Sequence, residues 1–384
     1  MILTMSVVEN SYSPLLVVIN VGGSTIKMAV YQVEKQKLYL NEKCQTERDV
    51  SLFIERFKLL VSGRKGKVMS VAHRFVALAP NIQSPAVLTE KLLARLVETE
   101  DLAPLHNPLA ISIIKICQSI FAHHVLQTIH SDSEFFNNLP SVASDYAISR
   151  AITAHGNVKK TGFHGLAHRS MLHALREVEL KRNKNNQRVI TIQLGSGCSI
   201  CAIKGDFPMD ISMGSSTNEG LIMANRSGDV DAVSLLRIQI ESSLDAEQII
   251  NELNQTSGIL GLTGYSGDME KIIRSDSDVD KEAIEKYCYR IRKYIGAYAA
   301  ILGGLDCLVI GGGVGANSSL IRKKILSHWD WLSMLYNEKS EMSLNEQLTE
   351  ISHAKSKVKI FICKIDEELL IAGDAFKIIS RIYS

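Results

Sequence analysis

An α/β chain built as two similar halves is the fold class this sequence predicts, and three observations predict it. Short apolar runs of strand length alternate with helical stretches. Two of these runs each lead through a glycine turn into a second apolar run: Val18-Ile19-Asn20-Val21-Gly22-Gly23-Ser24-Thr25-Ile26-Lys27 and Gln193-Leu194-Gly195-Ser196-Gly197-Cys198-Ser199. A third run ends in the cluster Gly311-Gly312-Gly313-Val314-Gly315-Ala316-Asn317. Glycine at such turns lets backbone N–H groups approach a phosphate with no side chain between them. Three of them in one chain point to a nucleotide held between two halves.

In chain order, residues 15–20 and 26–32 read as a strand hairpin. A helix follows over 50–61, with Leu52, Phe53, Phe57 and Leu60 at helical spacing. Residues 68–72 form a strand, 108–121 a nearly all-apolar and therefore buried helix, and 125–129 another strand. A helix over 168–178 follows the turn at Gly165. Residues 189–194 and 198–204 repeat the first hairpin, a weak internal duplication that implies two similar domains. A long mixed helix over 284–302 leads to strands at 307–310 and 358–363. The chain closes with a helix over 367–382 whose first turn is Asp366, Glu367 and Glu368.

At 384 residues the chain exceeds one ordinary core, so two domains are expected. Its 46% hydrophobic and 22% charged composition is that of a water-soluble globular protein. A net charge of +2, with no run of Lys and Arg, gives no electrostatic case for nucleic acid or an anionic membrane. No apolar stretch reaches transmembrane length, and residues 1–14 lack the features of a signal peptide. Seven scattered cysteines in a chain of this size fit reduced thiols in a cytoplasmic setting. Cys198 and Cys201 form a lone C-x-x-C on an expected strand, where residues three apart face opposite sides. Core cysteines are the expectation there, not a metal or redox pair.

The candidate chemistry lies at strand ends and glycine turns. Arg74 follows the expected strand at 68–72, and Arg226 lies in Ala224-Asn225-Arg226-Ser227-Gly228-Asp229. Arginine in such places can clamp an oxyanion with two parallel hydrogen bonds, or serve as an ordinary salt-bridge partner. His164, flanked by Gly162 and Gly165, sits at a helix entry. There an imidazole can donate to charge building on a transferred group, or fill a structural role. His168, four residues on, has no evident third partner for a metal site. Asp132 lies just past a strand end, where α/β sheets bind ligands and where an Asx turn is the alternative. Glu367 and Glu368 either complement the helix dipole or hold Mg²⁺, usually through water. Asp229 and Asp231 resemble either a metal motif or a helix start, and the helix start is the preferred reading. Asn20 and Lys27 flank the first glycine turn, but neither a Walker A loop nor a Rossmann fingerprint is present.

Taken together, these segments resemble the acetate kinase (acetokinase) family of the acetate and sugar kinase/Hsp70/actin superfamily. The resemblance runs from about residue 15 to 372. It rests on Asn20 to Lys27, Ala103-Pro104-Leu105-His106-Asn107-Pro108, Gly162-Phe163-His164-Gly165, Glu219-Gly220-Leu221-Ile222-Met223, Arg226 to Asp229, Gly311 to Asn317, and Asp366-Glu367-Glu368-Leu369, in the family's order. It implies two actin-like (ribonuclease H-like) domains, residues 1–133 with 367–384 and residues 134–366, with the active site in the cleft between them and hinges near Asp132 and Asp366. It also implies reversible, direct in-line phosphoryl transfer between ATP and a short-chain carboxylate, acetate first and propionate next. Mg²⁺ is the implied ion, Mn²⁺ its alternative, and a homodimer the implied assembly.

By motif position, Arg74 and Arg226 resemble the pair that binds carboxylate and phosphoryl oxygens. His164 resembles the donor to the phosphoryl in flight, and Asp132 the aspartate that orients reactants and metal. Asn20 and Glu367 resemble the metal-linked pair. Val76, Leu105 and Phe163 match the apolar walls around the acyl group. Lys27, Gly195, Ser196, Gly197, Asp268, Gly312, Gly313, Gly315 and Asn317 match the nucleotide site, with Asp268 at the ribose. Such chemistry needs positioning and charge neutralisation and no strong general base, because the acceptor is already an anion.

The sequence also departs from the family pattern. Phe136 stands for a histidine, Ser196 for an asparagine, Thr217 for a proline of the acyl pocket and Ala316 for a glutamate. The run after Arg74 is Phe75-Val76-Ala77-Leu78-Ala79 in place of Val-Val-His-Gly-Gly. Two other readings stay open: a superfamily kinase acting on a hydroxyl, and, on the changes at Phe136, Ser196 and Thr217, a nucleotide-binding regulatory protein with weakened catalysis.

Overall fold

The computed structural model describes residues 14–22, 25–33, 37–62, 67–79, 82–103, 106–121, 125–153, 158–178, 186–343 and 346–383. They fall into two compact units, one ending at Glu134 and resumed from Glu367, the other Phe135–Asp366.

The first unit is built on strands β1 (Leu15–Val21), β2 (Thr25–Gln32), β3 (Lys37–Gln45), β4 (Val68–Phe75), β5 (Ala86–Val87) and β6 (Leu126–Ser131). They lie in the order β3-β2-β1-β4-β6-β5. The β1–β2 and β2–β3 pairs are antiparallel; β1–β4 and β4–β6 are parallel; β5 closes the edge antiparallel to β6. Every residue of β1 is buried, as a central strand covered on both faces requires. Phe53, Phe57 and Val61 of the helix Thr46–Ser62 reach the core at i, i+4 and i+8. Leu52, expected on that stripe, is 40% exposed because it lies one position off it. The side chain of Leu60 lies outside the described residues. The helix Asn107–Phe121 buries Ala110, Ile111, Ile113, Ile114 and Cys117. Its first residue, Asn107, is fully buried and donates to Ala77 O and Thr99 O. The last helix, Glu367–Tyr383, packs on β1 and β4.

The second unit repeats this plan. Its strands are β7 (Arg188–Leu194), β8 (Cys198–Lys204), β9 (Phe207–Ile211), β10 (Cys307–Gly311), β11 (Leu348–Glu350) and β12 (Lys359–Cys363). Their order is β11-β12-β10-β7-β8-β9. The hairpin β7–β8, antiparallel β9, parallel β10 and β12 and antiparallel edge β11 match the first sheet strand for strand. The helix Asp278–Ile301 buries Ala283, Ile284, Tyr287, Cys288, Ile291, Ile295 and Tyr298, a single face at helical period. Cys198 and Cys201 are both buried, and Cys117, Cys198, Cys201, Cys288, Cys307 and Cys363 form no disulfide. Among the described residues no helix is long and apolar enough to cross a membrane.

Two local expectations change. Arg74 lies within β4, because the strand continues to Phe75. The Gly311 to Asn317 cluster leaves its strand directly into a short helix, Gly312–Asn317, with Gly312 at φ 83°.

Candidate active site

In the first unit, sheet register gathers the charged groups. Ile19 pairs with His73 across β1–β4, which puts Asn20 and Arg74 one step further at the same level. Arg74 pairs with His130 across β4–β6, two residues before Asp132. All three therefore project at the C-terminal ends of neighbouring parallel strands, where α/β sheets bind ligands. Arg74 Nη2 donates to Asp132 Oδ2 at 2.6 Å and Nη1 to Asn20 Oδ1 at 2.9 Å. Asn20 Nδ2 donates to Glu367 Oε2 at 2.8 Å and Glu368 Oε1 at 2.5 Å, joining the first turn of the last helix to the group. Arg74 Nη1 also lies 3.5 Å from Glu367, and Lys27 Nζ lies 3.5 Å from Glu368.

Burial alone would lower the Arg74 pKa, but Asp132, Glu367 and Glu368 outweigh it and the net direction is up. For Glu367, burial acts upward, and Arg74, Lys27 and Asn20 outweigh it to hold the carboxyl below its usual range. Three carboxylates thus face two cations. Arg74 Nε is buried with no partner among the described residues. Such an oxygen-rich, net negative donor set suits a hard divalent cation. Among the described residues no three acidic, His or Cys groups form a ready-made metal cage.

In the second unit the other charged groups meet above a glycine. A side chain on Gly197 would place its Cβ 3.1 Å from His164 Nε2 and 3.4 Å from Arg226 Nη2. The imidazole and the guanidinium therefore converge on one point that only glycine leaves accessible. His164 has φ 60°, unusual for a non-glycine residue, and its Nδ1 lies 2.9 Å from Ser199 Oγ. Arg226 Nη1 donates to Thr217 O at 2.8 Å. Among the described residues no carboxylate pairs with Arg226. Burial presses its pKa down, with a small opposing effect of Cys198. An arginine without a counter-ion in such surroundings is an anion site.

The glycine loops adjoin this point. Gly311 is in register with Gln193, so β7 and β10 end at the same level. A Cβ on Gly312 would lie 2.3 Å from Leu194 O, which sets the start of the helix Gly312–Asn317 against the Gly195–Gly197 turn. Gly313 and Asn317 are exposed on that helix and Gly315 is buried. In the turn Gly195 N–H donates to Gly197 O, while Ser196 is exposed and its carbonyl accepts from Ala224 N–H. Asp268 is exposed and caps the helix Met269–Ile273, accepting from Glu270 N–H at 3.0 Å. Asp231 caps the helix Ala232–Glu241, whereas Asp229 instead accepts from Gly220 N–H and Tyr294 Oη.

Val76 and Phe163 are buried, in different units, and Leu105 lies outside the described residues. Phe136 is buried; its ring fills the space beside Gly162 and meets His168 edge-on at 6.1 Å between centroids. Sequence reasoning missed the partnership of Glu368 with Asn20 and Lys27, and that of Ser199 with both histidines. The signal for Ser199 was a small hydroxyl inside an otherwise apolar strand.

Glycine turns beside a converging arginine and histidine suit the positioning and charge neutralisation that phosphoryl transfer needs. The chain belongs to the acetokinase family, whose family model matches residues 2–373. An acetate kinase of Treponema denticola is 36% identical over 317 residues, covering 82% of this chain and 79% of that protein. Among solved structures, Porphyromonas gingivalis acetate kinase is similar at a TM-score of 0.84 with 28% identity, covering 96% of this chain and 100% of that one. A propionate kinase of Francisella tularensis subsp. tularensis gives 0.83 with 28% identity, covering 94% and 98%. The fold class is accordingly the two-domain actin-like one.

Proposed function

We propose that this chain transfers the terminal phosphoryl group of ATP to a short-chain carboxylate, acetate or propionate, reversibly and in a single in-line step. The observation that carries this reading is the convergence of His164 Nε2 and Arg226 Nη2 over Gly197, with no carboxylate on Arg226 among the described residues. Both groups donate to a migrating phosphoryl, whose charge spreads over its equatorial oxygens. Gly195, Ser196, Gly197, Gly312, Gly313, Gly315 and Asn317 bind the nucleotide phosphates and adenosine, Asp268 the ribose, and Lys27 adds positive charge. Arg74 orients the carboxylate, held in place by Asp132 and Asn20. Val76, Leu105 and Phe163 wall the acyl group, which Thr217 makes more polar than a proline would.

Asn20 and Glu367 would hold Mg²⁺, which when bound neutralises phosphate charge. The same reading gives a homodimer in the cytoplasm. The helices Ala232–Glu241 and Ala246–Asn251 contribute no buried residue, and Val233, Leu236, Ile240 and Ile250 stand exposed, an apolar face suited to a second copy.

A panel of C2–C5 carboxylates and hexoses, with ATP, Mg²⁺ and hydroxylamine trapping, tests the reaction. Acyl hydroxamate from acetate or propionate is the expected product. Phosphorylated hexose with no hydroxamate from any acid overturns the reading.

A further inference from the structure

We infer that Ser199 and His168 hold His164 in the tautomer whose proton sits on Nε2, so that the imidazole presents a donor to the transferred phosphoryl group. The inference rests on the role given to His164 above and adds two positioning residues behind it.

Four side chains form a chain of contacts inside the second unit. His164 Nδ1 lies 2.9 Å from Ser199 Oγ; Ser199 Oγ lies 2.9 Å from His168 Nε2; His168 Nδ1 lies 2.7 Å from Thr191 Oγ1. Ser199, His168 and Thr191 are wholly buried. Burial lowers the His168 pKa to about 3, so its ring is neutral and carries one proton. Phe136 supplies part of the apolar wall that enforces this.

Each link then holds one proton, and for a neutral His164 ring the chain has two polarities. In the first, Thr191 Oγ1–H donates to His168 Nδ1, His168 Nε2–H to Ser199 Oγ, and Ser199 Oγ–H to His164 Nδ1. The last proton remains on His164 Nε2, facing the point above Gly197. In the second, every donor is reversed. His168 Nδ1–H then donates to Thr191 Oγ1, and the Thr191 hydroxyl proton needs another acceptor. Among the described residues Thr191 Oγ1 has none besides His168. A buried hydroxyl proton without an acceptor costs about 1–3 kcal/mol. The second polarity would also turn a lone pair of His164 toward an anionic oxygen. Both terms select the first.

The direct test is the histidine tautomer in ¹⁵N-labelled full-length protein, read by two-bond ¹H–¹⁵N correlation near neutral pH. The result expected for His164 is a proton on Nε2 with Nδ1 bare; a protonated Nδ1 overturns the inference. Ser199→Ala is expected to mix the two tautomers and to lower kcat about tenfold with both KM values unchanged, the effect of one lost hydrogen bond. An unaltered tautomer and kcat in folded Ser199→Ala, beside a His164→Ala variant that has lost its activity, sinks the relay alone. Full activity in His164→Ala would instead sink the role of His164 itself. The spectrum of the unsubstituted protein decides the matter even where a variant fails to fold.

Discussion

Arg74 and Arg226 carry the same charge in opposite surroundings. Arg74 is bound to Asp132, which is wholly buried, and to Asn20 and Glu367. The Arg226 guanidinium donates only to the carbonyl of Thr217 among the described polar groups. Removing a buried partner leaves an uncompensated charge, at a cost of about 3–5 kcal/mol. Arg74→Ala should therefore lower both activity and unfolding free energy, because Asp132 and Glu367 lose their cation. Arg226→Ala should cut kcat about a hundredfold or more, as loss of a transition-state donor does, with unfolding free energy near that of the unaltered chain. Denaturant titration beside initial rates separates the two. Equal destabilisation by both variants, or normal turnover in either, contradicts the assignment.

At the scale of elements, the strand ends and the turns between them carry the argument. Gly197→Ala would place a methyl group 3.0 Å from the His164 ring and 3.4 Å from Arg226 Nη2. Both neighbours are anchored, by Ser199 and Thr217. Turnover should fall at least about tenfold while the melting temperature hardly moves; a melting temperature that falls with the rate would make Gly197 a folding residue instead. Strand β4 adds a pH dependence. Burial lowers the His73 pKa from 6.5 to about 4, against a smaller opposing hydrogen bond to Gln127. The folded state thus favours the neutral ring, and the unfolded chain takes up a proton first as pH falls below 6.5. Stability present above that value is lost down to about pH 4, by about 2 kcal/mol at pH 5. Urea unfolding of His73→Gln at pH 7 and pH 5 should show a correspondingly smaller drop.

The hairpins, the parallel strands and the five long helices were legible because apolar period and glycine placement specify them locally. Strand ends were less so: nothing local in Ala72-His73-Arg74 marks where β4 stops, since pairing with β6 extends it to Phe75. The helix Gly312–Asn317 was hidden because a glycine-rich run has no helical propensity of its own. The grouping of Asn20, Arg74, Asp132 and Glu367 came only from family motifs, for residues so far apart in sequence meet through register. The link from His164 through Ser199 to His168 depends on side-chain direction in a buried strand, which composition does not encode.

For the whole molecule, two sheets of identical strand order give one set of parallel strand ends per unit, each furnished with different groups. One set carries the acidic cluster, the other the glycine loops with Arg226 and His164. The proposed homodimer makes the exposed apolar helices of the second unit testable. Ile240, 84% exposed, should be central to a dimer face, so Ile240→Lys should yield monomers in light scattering while the far-ultraviolet spectrum stays unchanged. A dimer that persists at micromolar concentration would place the interface elsewhere.

The account turns on a phosphoryl group passing straight from one oxygen to another while the protein only holds and neutralises it. The stereochemical course at phosphorus tests this most directly, with ATP made chiral at its terminal phosphoryl by oxygen isotopes and acetate or propionate as acceptor. A single displacement predicts an acyl phosphate of inverted configuration. Retention would require a phosphorylated protein side chain on the path and would contradict the account.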